Sequence, residues 1–133
     1  MTKEPKRVAL PDMLRSGWGR IVNIASTAGL TGYAYVSAYT AAKHGVVGLT
    51  RSLALEVARK GVTVNTISPG YIGTKMVTAI PKEILDSKIL PQIPVSRLGK
   101  PEEVAGLIIY LCSEEAAFVT GANISINGGQ HMY

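Results

Sequence analysis

The chain has 133 residues, 47% hydrophobic and 17% charged, with a formal net charge of +5. That length suits one domain with one core, and a charged share below the roughly 25% usual for soluble proteins leaves apolar surface to bury, including against other subunits. The basic residues Arg15, Arg20, Arg51, Arg59 and Lys60 are scattered, and the densest group (Lys3, Lys6, Arg7) is confined to the first seven residues, which argues against nucleic acid and leaves room for a phosphate-bearing small ligand.

In chain order, Val8 to Arg15 predicts a short helix that stops near Ser16-Gly17. Gly19 to Ser26 carries the β-branched run Ile21-Val22-Asn23-Ile24, suited to a buried parallel strand. Gly29 to Tyr35 is a loop, in which Tyr33 and Tyr35 are expected to pack. From Ser37 to about Lys60 the pattern is helical, with Ala42, Val46, Leu49, Leu53 and Val57 as its inward stripe. The other faces of this helix are also poor in charge, so one side is expected on a sheet and another on a second subunit. Gly61 stops it. Val62 to Ser68 is a second strand, broken by Pro69-Gly70.

Tyr71 to Gly99, with Pro81, Pro91 and Pro94, reads as a long irregular lid over a site, anchored by an ion pair of Arg97. Pro101 opens a helix with Glu102 and Glu103 in its first turn and a core stripe of Val104, Leu107, Ile108 and Leu111. Ala122 to Ile126 is a third strand, closed by Asn127-Gly128-Gly129. The lone Cys112 excludes an intrachain disulfide and is expected to be a buried small hydrophobe. The start lacks the apolar core of a secretory signal, and no apolar run approaches the ~18 residues that span a membrane. A cytoplasmic setting is the expectation. His44, His131 and Cys112 have no metal-ligand spacing.

Strands alternating with helices predict a parallel sheet whose ligands bind beyond the carboxyl ends of the strands. Ser26 lies at one such end and Pro69-Gly70 at another. Tyr39 and Lys43 stand four residues apart on the helix between them, so they share a face. A phenol ionises near ~10, and work as an acid/base at neutral pH needs that lowered by roughly 3 units, which a neighbouring cation favours. With a serine hydroxyl from another segment, this constellation points to proton transfer at a carbonyl or alcohol oxygen.

The segments Gly19-Arg20-Ile21-Val22-Asn23-Ile24-Ala25-Ser26, Tyr39-Thr40-Ala41-Ala42-Lys43, Val64-Asn65-Thr66-Ile67-Ser68-Pro69-Gly70 and Thr120 to Gly129 resemble the short-chain dehydrogenase/reductase family. The resemblance runs from about Val8 to the end and is nearest in flavour to 3-oxoacyl and acetoacetyl-CoA reductases. It implies an α/β fold, a three-layer, doubly wound Rossmann-type parallel sheet, represented here by its carboxyl-terminal half with about three strands. It implies NAD or NADP as cofactor, with NADP slightly favoured, and a 3-oxoacyl thioester of CoA or acyl carrier protein as substrate. Tyr39 would be the acid/base, Lys43 its activator and a ribose ligand, and Ser26 the group that orients the substrate oxygen. Pro69, Gly70, Ile72 and Thr74 would line the nicotinamide end, the last of these with capping as its alternative role. Tyr33, Val36, Tyr71 and Met76 would border the substrate. Homo-oligomers through the helix 39–60 and the last strand are implied, with Gln130 to Tyr133 at an interface.

Members of the family run to roughly 250 residues as one domain. Residues 1–133 are thus expected to be half of such a domain. The glycine-rich pyrophosphate turn, the residue that selects NAD or NADP, the Asn-Asn-Ala-Gly segment and a further catalytic asparagine have no counterpart in this sequence. The first strand would then lie at an open sheet edge. The rival expectation is a catalytically inactive fragment or pseudoenzyme that serves as an oligomerisation or interaction module.

Overall fold

The computed structural model describes residues 5–132, with side chains from Val8 onward; the basic side chains of the first seven residues and Tyr133 lie outside those bounds. Helix α1 (Pro5–Ser16) leads to strand β1 (Gly19–Ile24). A single 3₁₀ turn, Thr27–Gly29, precedes helix α2 (Ser37–Val57), which tightens into a 3₁₀ turn through Lys60. Gly61 then reverses the chain at φ +74°, and a Cβ there would come 2.1 Å from the Gly17 carbonyl, so only glycine fits. Strand β2 (Val62–Pro69), the short helices α3 (Lys75–Thr78) and α4 (Lys82–Ile84), helix α5 (Pro101–Leu111) and strand β3 (Asn123–Ile126) follow.

The three strands are parallel in the order β1-β2-β3. Gly19 to Ile24 pair with Val62 to Ile67, and Thr66 to Pro69 with Asn123 to Ile126. Alternation along the strands sorts the sheet's two faces. On one face, Ile21, Val62 and Val64 meet Leu10, Met13 and Leu14 of α1 and Leu53, Ala54 and Val57 of α2. On the other, the Arg20 guanidinium bonds the Ser113 carbonyl at 3.2 Å and lies 4.8 Å from the Trp18 ring centroid, while Trp18 Nε1 donates to Glu114 at 2.9 Å. Helices therefore cover both faces, as the three-layer expectation holds, and β1 is an edge strand. Among the described residues no helix is long and apolar enough to cross a membrane.

β2 is buried along nearly its whole length, although Thr63, Asn65, Thr66 and Ser68 are polar. The Thr63 hydroxyl has no hydrogen-bond partner, whereas the other three do, as burial favours. Thr66 donates to Thr50 of α2 at 2.7 Å, and Thr50 also accepts from Asn23 of β1 at 2.8 Å. Ser68 donates to Asn123 at 2.7 Å. Asn65 donates to the Val119 carbonyl at 2.8 Å and accepts from the Ala122 N–H at 3.0 Å, fastening the approach to β3.

Three expectations are corrected. The inward face of α2 is Val47, Thr50, Ala54 and Val57; of the expected stripe Val57 is buried and Val46 and Leu53 are half-buried, but Ala42 and Leu49 are exposed. A stripe of apolar residues alone misses this face, which turns on the Thr50 hydroxyl, whose bonds make it a core residue. Cys112 is exposed, because α5 buries Leu111 and half-buries Val104, Leu107 and Ile108, as expected, and residue 112 falls off that side. The segment 71–99 is not irregular but a series of short helical turns, including a π turn at Leu85–Ile89 and a 3₁₀ turn at Leu90–Gln92. Its prolines cut the helix into pieces rather than preventing it.

Asn65→Ala would leave two backbone groups without their partner, so it is expected to cost about 2–3 kcal/mol in urea unfolding; a loss under about 0.5 kcal/mol would show those bonds to be replaceable by water.

Candidate active site

Ser26, Tyr39 and Lys43 converge because two elements are held close. Ser26 follows β1, whose ladder is prolonged by the Ala25 N–H bond to Ile67 at 2.8 Å. The Ser26 backbone is extended, and its Oγ accepts from the Ala28 N–H at 3.2 Å, capping the turn Thr27–Gly29. That turn lies directly against α2: a Cβ on Gly29 would sit 3.1 Å from the Lys43 carbonyl. The loop is thereby pressed onto the part of the helix that carries Tyr39 and Lys43.

Those two residues occupy the first turns of α2, on the face that continues into Val47, Thr50 and Ala54. Farther along, that face packs on the sheet; here it runs past the strand ends. Lys43 Nζ donates to the Ile24 carbonyl at 3.3 Å and lies 5.5 Å from the Tyr39 ring centroid. Tyr39 is half exposed. His44, next in sequence, instead bonds the Thr40 carbonyl at 2.9 Å on its own helix.

A pocket of about 440 Å³ joins Ser26, Tyr33, Val36, Tyr39, Gly70 and Tyr71, all six named from the sequence. Thr27, Ala28 and Ala34 also line it. Sequence reasoning missed these three; their proximity to Ser26 and Tyr33 in the chain was the one available signal. Tyr33 donates to Thr27 Oγ1 at 3.2 Å, which fixes its ring in the wall. Tyr35 is fully exposed and does not pack, and its φ of 67° is left-handed, a strained state for a tyrosine. Gly70 closes the far side. Its N–H bonds Ile126 at 3.0 Å, and a Cβ there would lie 2.7 Å from that of Asn127.

The other residues named from the sequence lie around this pocket rather than in its wall. Pro69 ends β2, paired with Ile126. Ile72 borders a second, smaller cavity. Thr74 precedes α3, where its hydroxyl makes no capping bond, and Met76 on α3 projects into solvent at 81% exposure.

The lid segment is closed at its base. Gly73 N–H bonds the Gly99 carbonyl at 2.8 Å, Gly99 N–H bonds Tyr71 at 2.9 Å, and Ile72 bridges to Gly99. Arg97 grips Glu103 of α5 through two bonds of 2.7 and 2.9 Å, so the expected anchor is present. The Lys100 N–H adds a third bond to that carboxylate at 2.8 Å. The Arg97 bonds first, and the Lys100 N–H next, lower Glu103 from its ordinary 4.5 to about 2. A depressed carboxylate stabilises the fold above its ordinary value and loses that contribution as pH falls toward its folded one. The melting-temperature gap between the unsubstituted chain and Glu103→Gln is therefore expected to hold above about pH 4.5 and to close as pH falls to about 2; a gap independent of pH over that interval would contradict it.

Known proteins resemble this chain along most of its length. The family model described as enoyl-(acyl carrier protein) reductase, of the short-chain alcohol dehydrogenase type, matches residues 5–131. An acetoacetyl-CoA reductase of Cupriavidus necator is 57% identical over 120 residues, covering 90% of this chain and 48% of that protein. One from Rhizobium meliloti is 56% identical over 116 residues, covering 87% and 48%. The crystal structure of a 3-oxoacyl-(acyl-carrier protein) reductase from Brucella melitensis superposes with a TM-score of 0.90 at 36% identity, covering 96% of this chain and 48% of that one. The chain spans about half the length of the curated relatives it matches.

Proposed function

The chain belongs to the short-chain dehydrogenase/reductase family, and we propose that it carries the catalytic half of an NAD(P)-dependent oxidoreductase that interconverts a ketone and a secondary alcohol. The observation that carries this reading is the single pocket that joins Ser26 to Tyr39, with Lys43 beside the tyrosine.

In this reading Tyr39 gives its phenolic proton to the developing alkoxide on reduction and takes the alcohol proton on oxidation. Lys43 sets its positive charge 5.5 Å from the tyrosine ring. Its ammonium has three donors, and the Ile24 carbonyl occupies one, so a ribose hydroxyl can take another. Ser26 presents its hydroxyl to the substrate oxygen. Residues Tyr39, Lys43, Pro69, Gly70, Ile72 and Thr74 would hold the nicotinamide end of NAD or NADP, with NADP favoured by likeness to reductases. Their chemistry fits such a group: an ammonium, an uncapped hydroxyl and glycine backbone, and no carboxylate in the pocket wall to repel it. When bound, the cofactor supplies or accepts the hydride.

The substrate class we propose is a 3-oxoacyl thioester of CoA or acyl carrier protein, in a cytoplasmic setting. Among the described residues, the pocket wall contains no Lys, Arg or His to pair a substrate carboxylate, and Lys43 is the cation beside its tyrosine. Relatives named acetoacetyl-CoA reductase and 3-oxoacyl-(acyl-carrier protein) reductase support that class, whereas a D-beta-hydroxybutyrate dehydrogenase of Rhizobium meliloti, 44% identical, is named for a free acid.

The outer face of α2 supports assembly. Ala42, Gly45, Gly48, Leu49 and Leu55 are exposed there, Leu55 by 84%, and small residues let a second helix approach closely. A homo-oligomer through this face, joined by the last strand, is our reading of the quaternary state. The same face supports the alternative of a non-catalytic assembly module.

Two experiments separate these readings. A chimera in which this chain replaces the matching half of the Brucella melitensis reductase is expected to oxidise NADPH with acetoacetyl-CoA, and Tyr39→Phe to lower kcat by about 10²–10⁴-fold with an unchanged melting curve. A folded chimera that turns over equally well with phenylalanine would refute the assignment. For assembly, light scattering of the chain alone is expected to show an oligomer that Leu55→Glu converts to monomer; a monomer at micromolar concentration without the substitution would remove the proposed interface.

A further inference from the structure

The candidate pocket has a neighbour, of whose lining only Tyr71 and Ile72 have substrate or cofactor roles above. A second cavity of about 140 Å³ lies between the lid and the end of β3. Ile72, Ile93, Val95 and Ile126 form its apolar wall. Arg97 and Glu103 also border it, but they are bonded to each other and offer no net charge. Its volume is near the ~150 Å³ in which an apolar-walled cavity holds a molecule as large as benzene, although Asn127 and the ion pair make part of its border polar. Among the described residues Tyr71 alone lines both spaces. It stands directly after Gly70 at the end of β2, and the Gly99 N–H bond to its carbonyl pins its backbone.

We propose that the second cavity is a latent subsite for the distal carbons of an acyl chain, held shut by Tyr71, which thereby sets the chain length the site takes. The inference rests on the 3-oxoacyl thioester reading. With the substrate oxygen set between Ser26 and Tyr39, the proposed orientation turns the alkyl end to the Tyr71 side of the pocket and the thioester to the other. A four-carbon acyl group ends before that wall. A longer one must cross it, and the space beyond is apolar and large enough for several methylenes. Each methylene that enters gains about fourfold in affinity, a gain that the tyrosine withholds.

The test is calorimetry on the full chain with 3-hydroxybutyryl-pantetheine and 3-hydroxyoctanoyl-pantetheine. The unsubstituted chain is expected to bind the shorter thioester more tightly. Tyr71→Ala is expected to reverse that order, with a gain of about tenfold or more for the longer one, and Tyr71→Phe to keep the original order. Val95→Phe, at a position 55% exposed and therefore tolerant of size, fills the second cavity; in the Tyr71→Ala background it is expected to cancel the gain. A folded Tyr71→Ala variant that retains the original order overturns the proposal, as does a gain that survives Val95→Phe, and in both cases the substrate reading stands. Binding of neither thioester to any variant refutes the substrate reading, and the subsite with it.

Discussion

One polar contact, the meeting of Asn23, Thr50 and Thr66, sets the rest of the site. It ties β1, β2 and α2 together through bonds of 2.8 and 2.7 Å in the sheet's core. An apolar helix face can rotate or slide on a sheet with little penalty, because dispersion contacts are many and individually weak. A hydroxyl that must meet two partners at once cannot. Thr50 therefore fixes the rotation and the axial position of α2, and Tyr39 and Lys43, on the same face toward the helix start, are fixed with it. Burying Thr50 without its partners would cost more than its methyl group gains, so the contact selects one arrangement more than it adds stability.

The same economy runs through β2. A strand buried on both faces ordinarily reads as Val, Ile and Leu throughout. Here Asn65, Thr66 and Ser68 interrupt the run, and each bonds a different element: the approach to β3, helix α2, and β3 itself. Their bonds fix the strand neighbours laterally, so the carboxyl ends of β1, β2 and β3 line up. Alignment of those ends is what brings Ser26, Gly70 and the turn at Asn127 to one rim. The site depends on this rim, whereas the opposite rim, with Trp18, Arg20 and Glu114, only closes the fold.

Where sequence spacing mapped onto one element, the fold and the grouping of the candidate residues were readable. Tyr39 and Lys43 are one helical turn apart, and no other local structure would pair them as well. The strands were visible from their β-branched runs, and the end of α2 from Gly61. Reading failed where a residue's status depends on a distant partner. Thr50 counts as polar in any periodicity, yet it is core because Asn23 and Thr66 reach it. Cys112 looked buried beside Leu111, yet one residue's rotation carries it off the packed side of α5. The lid's helical turns were hidden by prolines that allow one turn each but not a continuous helix. Thr27, Ala28 and Ala34 carry no chemistry of their own, so only their position in space makes them part of the pocket.

The joined base of the lid has an evolutionary consequence. Because Tyr71, Gly73 and Gly99 are bonded across the neck, the chain from 74 to 98 leaves and returns at almost one point. Lengthening such a loop costs little closure entropy, about 0.6 kcal/mol for each doubling, and transmits little strain to the sheet. Selection can thus insert, delete or exchange residues in this loop as a module while the strand ends that hold Ser26 and Gly70 stay in register. On the proposed reading, the chemistry is inherited with the sheet, and the range of molecules admitted to it is open to change on its own.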